Sequence, residues 1–153
     1  MSELKEGQKA PDFTSTDQNG NTISLDQFRG KKVILYFYPK DDTPGCTAEA
    51  CDFRDNYQGL TAKGIVVLGV SVDDEKSHQK FVTKHSLPFT LLADTDQKIV
   101  EAYGVWGEKN MYGKLYMGTI RTTFVIDEDG VILHIIRKVD TKNSTAQVLE
   151  LLN

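Results

Sequence analysis

Two runs of β-branched and aromatic residues limit the folds open to this chain of 153 residues. Residues 33–38 (VILYFY) and 65–72 (IVVLGVSV) are almost continuously apolar, a pattern typical of strands buried on both faces of a sheet. Between them, residues 44–63 place apolar side chains at helical spacing, and Gly64 is a suitable C-cap. A buried strand, a helix and a second buried strand predict an α/β fold.

The rest of the chain extends this pattern to a three-layer α/β/α sandwich around a central mixed β-sheet. The further predicted elements are helices over 73–85, 97–103 and 147–152, strands over 89–92, 121–126 and 131–136, and a hairpin turn at Asp129-Gly130. Residues 1–30 are polar with turn signals, and residues 104–118 are predicted to form a long loop. The length suits a single domain over residues 1–153.

Charge and hydropathy argue against two classes of partner. The net charge is -4 and the pI about 5.3, whereas nucleic-acid binders normally carry a basic patch. No apolar run approaches the roughly 18 residues of a membrane span. Residues 1–7 lack the apolar core of a signal peptide, so a cytoplasmic protein is expected. In that reducing compartment a cysteine pair is more often catalytic or metal-binding than structural.

The two cysteines of the chain, Cys46 and Cys51, lie five residues apart in the predicted helix that follows the first buried strand. Proline is favoured at the first helical position, so Pro44 makes Thr43 the predicted N-cap and places Cys46 at the third position. Unpaired backbone N–H groups and the helix dipole favour a thiolate there, and the thiolate is the nucleophilic form of cysteine. The alternative is that Cys46 is only a small buried apolar residue.

The second cysteine occupies a different side of the same helix. Cys46 belongs to the apolar stripe, whereas Cys51 lies about 140° around the axis, with the two Cα atoms about 9 Å apart. A disulfide requires Cα atoms about 4.4–6.8 Å apart, so pairing would require the helix start to unwind. The alternative for Cys51 is an idle surface thiol.

A metal site is the main competing interpretation of a cysteine pair. His78, His85 and His134 could supply further ligands, but a spacing of five differs from the usual two to four of structural zinc. His78 and His85 would lie about 10 Å apart along one helix and could not share an ion. The three histidines are therefore expected to be surface or half-buried side chains, and no metal or other cofactor is expected.

Attack on a peroxide O–O bond is a reaction suited to an inward-facing thiolate. It yields a sulfenic acid, which condenses with a nearby thiol, and the leaving oxygen needs donors or a cation close by. Thr43 offers a hydroxyl one turn before Cys46, although it could be an N-cap only. Arg121 opens a predicted strand and stays charged at any useful pH, although from spacing alone a surface charge is equally well supported.

Residues 39–46 (PKDDTPGC) match the Pro-x-x-x-Thr-x-x-Cys signature of peroxiredoxins. The longer run 36–51 resembles the bacterioferritin comigratory protein/peroxiredoxin Q subfamily. Three further blocks resemble that subfamily in the same order along the chain: residues 10–13, 103–109 and 120–127.

This resemblance implies a thioredoxin-like fold and reduction of hydrogen peroxide and organic hydroperoxides. It implies a peroxidatic role for Cys46 and a resolving role for Cys51, which would form an intramolecular disulfide. The other active-site positions that it implies are Pro39, Thr43, Arg121 and, in a supporting hydrogen-bond network, Glu49.

The implied reductant is thioredoxin or a similar dithiol protein, and members of the subfamily are often monomeric. Two other functions use the same cysteine pair: a redox sensor or chaperone-like protein, and a general disulfide exchange enzyme. The chain has no Cys-x-x-Cys motif, which argues against disulfide exchange.

Overall fold

The structure, a computed structural model, describes residues 4–152. The strands are β1 (Thr14–Thr16), β2 (Thr22–Ser24), β3 (Lys32–Phe37), β4 (Ile65–Ser71), β5 (Thr90–Ala93), β6 (Trp106–Met111), β7 (Lys114–Thr119), β8 (Thr122–Ile126) and β9 (Ile132–Ile136). The helices are α1 (Pro44–Asp55), α2 (Tyr57–Ala62), α3 (Glu75–His85), α4 (Lys98–Ala102) and α5 (Ser144–Leu152), with a 3-10 helix at Leu25–Phe28.

Seven of these strands form one mixed sheet in the order β2-β1-β5-β4-β3-β8-β9. β3 pairs in parallel with β4, and β4 with β5. β8 runs antiparallel to β3 and to β9. The two apolar runs of the sequence are therefore neighbours at the centre of the sheet, and the predicted α/β sandwich with a mixed, thioredoxin-like sheet is confirmed.

Alternate residues of the central strands pack into two separate cores, one on each face of the sheet. Val33, Leu35 and Phe37 belong to one cluster, which α4 covers with Ile99 and Val100. The intervening residues of β3 face a second cluster, covered by α1, α2, α3 and α5. Both faces of β3 are thus shielded from water, which explains why polar and apolar residues do not alternate in its sequence.

The single helix predicted over residues 44–63 is wrong in one respect, because it is two helices. α1 ends at Asp55 and α2 begins at Tyr57. At the junction, the Nδ2 group of Asn56 donates to the carbonyl of Asp52 at 2.8 Å. Asparagine side chains that bond backbone carbonyls compete with the regular helical pattern. Gly64 follows with a φ of 73°, the left-handed conformation expected of a residue just past a helix end.

The long loop predicted over residues 104–118 is also wrong, because β6 and β7 form a hairpin there. Tyr112 and Gly113 make its turn with φ values of 52° and 83°, the signs that a type I′ turn requires. Most side chains of the hairpin are exposed or only half-buried, so the sequence shows no buried face from which a strand could be recognised. The predicted polar segment 1–30 likewise contains two short strands at the sheet edge.

Candidate active site

The end of the central strand β3 leads directly into the segment that carries Cys46. Pro39, which is half-buried, follows the strand, and Thr43 is the N-cap residue of α1. Pro44 occupies the first helical position, so Cys46 is the third residue of the helix, as predicted. The Thr43 side chain makes no capping hydrogen bond; its hydroxyl donates instead to the carbonyl of Lys40 at 2.9 Å.

The Cys46 thiol is buried beside a guanidinium group. The residue is 1% exposed and belongs to the apolar cluster on the α1 side of the sheet. Nη2 of Arg121 donates to Sγ of Cys46 at 3.2 Å. A Cβ atom at Gly45 would lie 3.2 Å from the same Nη2, so the glycine leaves the room that this contact requires.

Strand pairing brings Arg121 to the thiol across 75 residues of sequence. Arg121 immediately precedes β8, and the first residue of β8, Thr122, pairs with Phe37 at the end of β3. The arginine therefore lies at the sheet edge from which the chain continues to Cys46. The sequence alone left open whether this was a surface charge; its side chain is 22% exposed and bonded to the site.

A buried carboxyl group holds the arginine from its other side. Nη1 of Arg121 donates to Oε1 of Glu49 at 2.8 Å, and Glu49 is wholly buried one turn beyond Cys46. Oε2 of Glu49 accepts from the Ser144 hydroxyl, at the start of α5, at 3.4 Å. Ser144 was not identified from the sequence, where a serine at a helix start indicates only a cap.

The two opposing influences on Glu49 leave it able to titrate near neutral pH. Burial raises the pKa of Glu49 to about 7, although the charge and hydrogen bond of Arg121 lower it. Burial lowers the pKa of Arg121, but the charges of Cys46 and Glu49 raise it and prevail. The guanidinium group therefore stays charged beside the thiol.

The hairpin contributes a second cation close to this site. Nζ of Lys109 donates to the carbonyl of Thr119 at 2.9 Å, two residues before Arg121. Burial lowers the pKa of Lys109, as does the charge of Arg121, while the charge of Cys46 acts in the opposite direction. The sequence does not single out this lysine, because residues 104–118 are predicted to form a loop, whereas Lys109 lies in β6.

Cys51 lies within α1, half-buried, and both cysteines are free thiols on an intact helix. Unlike Cys46, Cys51 does not belong to the buried apolar cluster on this face of the sheet. The structure therefore brings together Cys46, Glu49 and Arg121, with Pro39 and Thr43 on the adjoining segment, and leaves Cys51 apart.

The expectation of exposed or half-buried histidines is wrong for His78, which is fully buried. Among residues 4–152, no group of three or more histidine, cysteine or acidic side chains is arranged to hold a metal ion. None of the helices in this range combines the length and the apolar character needed to cross a membrane.

A buried thiol at a helix start, held by an arginine on a thioredoxin-like sheet, defines the class of thiol peroxidases. Residues 6–135 match the model of the AhpC/TSA family, and the chain belongs to this family. It is a peroxiredoxin enzyme, and the resemblance to the bacterioferritin comigratory protein/peroxiredoxin Q subfamily is confirmed.

Relatives and solved structures agree in this assignment. A putative peroxiredoxin bcp of Coxiella burnetii is 55% identical over 95% of this chain and 97% of its own length. A mutant of Xylella fastidiosa PrxQ superposes with a TM-score of 0.92 at 30% identity, covering 99% of this chain and 97% of that one. The bacterioferritin comigratory protein of Xanthomonas campestris, described by its alkyl peroxide reduction activity, superposes with a TM-score of 0.84 at 35% identity, covering 92% and 90%.

Proposed function

We propose that this protein is a two-cysteine peroxidase that reduces hydrogen peroxide and organic hydroperoxides. The observation that carries the proposal is the 3.2 Å contact between Nη2 of Arg121 and the buried Sγ of Cys46, at the third residue of α1. A guanidinium group and free helical N–H groups stabilise both a thiolate and the charge that develops on a leaving oxygen.

In the first step, the Cys46 thiolate attacks the terminal oxygen of the hydroperoxide. An S–O bond forms, the O–O bond breaks, and the product alkoxide or hydroxide takes up a proton to leave as alcohol or water. Arg121 faces the reacting sulfur, and Glu49 holds Arg121 through its second nitrogen. The alkyl peroxide activity of the Xanthomonas campestris relative supports organic hydroperoxides as substrates.

Thr43 and Pro39 shape the approach to the sulfur. The Thr43 hydroxyl donates its hydrogen bond to the Lys40 carbonyl, so its oxygen lone pairs remain available to accept a hydrogen bond from the peroxide O–H. Pro39 has a fixed φ and no N–H group, and it sets the direction in which the chain leaves β3.

In the second step, Cys51 condenses with the Cys46 sulfenic acid, releasing water and forming an intramolecular disulfide. Both cysteines belong to α1, so the first turns of the helix must unwind before the sulfurs can meet. Unwinding breaks the contacts of Arg121 with Cys46 and Glu49 and that of Ser144 with Glu49. The reduced helix and the oxidised segment therefore have different shapes.

A dithiol protein of the thioredoxin type then returns both cysteines to thiols by exchange with the disulfide. We propose that the protein works as a monomer in the cytoplasm. The acidic net charge of -4 fits a protein without nucleic-acid partners.

The proposal is tested by the intact mass of the reduced protein after one equivalent of hydrogen peroxide, with remaining thiols alkylated. The expected result is a loss of about 2 Da and no alkylation. In Cys51→Ser, oxidation should stop at a sulfenic acid on Cys46, and no thiol should remain to be alkylated. Cys46→Ser should show no oxidation. Two alkylated thiols in the wild-type protein would contradict the peroxidase function.

A further inference from the structure

A second buried polar cluster, unrelated to the thiol contacts, holds the opposite side of the segment that leads to Cys46. Nδ1 of His78 lies 2.7 Å from Oδ2 of Asp41, and both side chains are buried. Asp41 belongs to residues 39–43, between β3 and α1, and His78 belongs to α3. The cluster therefore ties the Cys46 segment to α3, from which no side chain hydrogen-bonds to Cys46, Glu49 or Arg121.

The hydrogen-bond partners fix the number of protons in this cluster. Nε2 of His78 lies 2.8 Å from the carbonyl oxygen of Leu92, which can only accept, so Nε2 carries a proton. Asp41 already accepts from the Tyr38 hydroxyl on Oδ1 at 2.6 Å and from the Ser77 hydroxyl on Oδ2 at 2.7 Å. The short contact between His78 and Asp41 requires one further proton, which the two groups share.

The backbone of the same segment is fixed as well. The N–H group of Asp41 donates to Oδ2 of Asp73 at 2.8 Å, and the Ser71 hydroxyl donates to that same oxygen. Asp42 has a φ of 59°, a left-handed conformation uncommon for residues other than glycine. A segment in this conformation depends on the contacts that hold it.

We propose that His78 is a positioning residue, and that the proton it shares with Asp41 controls whether residues 39–43 hold Cys46 in its pocket. Asp41 lies two residues before Thr43 and five before Cys46, so its release moves the start of α1. The consequence for peroxide reduction rests on the function proposed above.

The direction of the pH effect follows from the groups around the imidazole. Burial lowers the pKa of His78, but the hydrogen bond and charge of Asp41, the Leu92 carbonyl and the charge of Asp73 raise it and prevail. The pair is therefore intact below the ordinary histidine pKa of 6.5 and is lost as the pH rises through the higher folded value. Above that value, an unprotonated Nδ1 faces a carboxylate, and residues 39–43 are released.

The charged and titratable groups facing His78 come from several elements. The loop before α1 supplies Asp41, the residue just after β3 is Tyr38, the segment after β4 supplies Asp73, and β5 supplies a backbone carbonyl. The surface cavity outside the cluster is also lined by Asp42, Asp74, Lys76, Lys80 and Lys84.

Two variants of His78 separate the shared proton from simple loss of packing. The amide nitrogen of asparagine takes the place of Nδ1 and can donate to Asp41 at every pH, whereas that of glutamine takes the place of Nε2 and reaches Leu92 instead. His134→Gln is the matched control, because His134 lies on β9, where its imidazole faces Glu6 and not residues 39–43.

The readout is the rate at which iodoacetamide alkylates Cys46 in a Cys51→Ser background, from about pH 5.5 to about pH 9, expressed as variant over parent. Such a ratio removes the part of the pH dependence that the variant and the parent share. His78→Asn should match the parent at low pH and react more slowly above the folded pKa of His78, where the parent segment is released. His78→Gln should react about tenfold faster than the parent at low pH and converge on it at high pH. His134→Gln should keep a ratio near one throughout.

The rate of the hydrogen peroxide reaction, measured in the same proteins, should change in the opposite direction, because peroxide attack needs the assembled pocket. If the alkylation ratios follow this pattern but no variant reacts with peroxide, the peroxidase function fails and control of the segment by His78 stands. Alkylation ratios for both His78 variants that stay flat with pH, like that of His134→Gln, would overturn the inference whatever the peroxide rate. A folded-state NMR titration of His78 with a pKa below the ordinary value would overturn it independently of any variant.

Discussion

Replacing Arg121 with alanine should affect the reaction and the folding of this protein by separable amounts. Arg121 makes two contacts, one with the sulfur of Cys46 and one with the buried carboxyl group of Glu49. The first bears on catalysis, and the second bears on stability. Because Glu49 can be replaced as well, the two contributions can be measured in one set of variants.

The size of the catalytic effect follows from the 3.2 Å separation of Nη2 and Sγ. Two unit charges at that distance interact by about 5 kcal/mol at an effective dielectric constant of about 20. Solvent screening of a side chain that is 22% exposed offsets part of this. Loss of one donor to a developing negative charge typically lowers a rate by about 10²- to 10³-fold, and we expect the peroxide reaction of Arg121→Ala to slow by that factor.

The stability effect comes from Glu49, which is left without its cation. Removing one partner of a buried ion pair typically costs about 3–5 kcal/mol. Since the pKa of Glu49 is about 7 even with Arg121 present, protonation relieves this cost in acid. Arg121→Ala should therefore be destabilised most above neutral pH. Adding Glu49→Gln should restore stability while leaving the reaction slow.

The assay is stopped-flow reaction of the reduced protein with hydrogen peroxide, together with urea unfolding, for Arg121→Ala, Arg121→Ala/Glu49→Gln and Arg137→Ala. Arg137 is exposed and serves as the control for loss of an arginine. A peroxide rate within about threefold of wild type in Arg121→Ala would refute the role of the guanidinium group at the sulfur. Recovery of that rate in the double variant would show that the loss came from misfolding.

Three further predictions concern the same helix. For Glu49, the folded pKa of about 7 exceeds the ordinary value of 4.5, so between these two values the folded state holds a proton that the unfolded state releases. The free energy of unfolding should therefore fall by about 3 kcal/mol as the pH rises through this window. Glu49→Gln should remove that fall in urea titrations. Cys51→Ser should keep the first peroxide step but accumulate a dimedone-reactive sulfenic acid and lose turnover with thioredoxin; normal turnover would remove Cys51 from the cycle. Thr43→Val should slow the peroxide step about 10- to 100-fold and lower the free energy of unfolding by about 1 kcal/mol, because it loses the hydrogen bond to Lys40. Thr43→Ser should retain most of the rate, and equal rates in the two variants would contradict a role for the hydroxyl.

The sheet could be predicted because its central strands are buried on both faces. Residues 33–38 and 65–72 contain no charged side chain and one small polar one, Ser71, and they form neighbouring strands at the centre of the sheet. The β6–β7 hairpin could not be recognised, because a strand pair without a buried face lacks the periodic pattern on which strand prediction depends. The break at Asn56 depends on one side-chain hydrogen bond, so the helical spacing of the apolar residues does not reveal it either.

The thiol itself was predictable, whereas most of its surroundings were not. Pro44 and Thr43 mark the helix start, so the position of Cys46 follows from local rules. Arg121 reaches the site through strand pairing, and its part could be expected only from resemblance to a known family. Ser144 and the buried His78 come from α5 and α3, and no local signal distinguishes them from a helix cap and a surface residue.

The junction at Asn56 also sets how far a disturbance at the start of α1 can spread. Helical order is cooperative, and fraying that starts at one end runs on until the hydrogen-bond ladder is interrupted. α1 has 12 residues before the break, whereas α2 begins again with its own hydrogen bond from Leu60 to Asn56 and anchors Leu60, which is 1% exposed, in the core. Amide hydrogens of α1 should therefore exchange with deuterium as one group, separately from those of α2. Each unwinding of α1 at the cysteines would then be confined to about three turns. The other helices on this face of the sheet would stay in place, and α1 could refold against them.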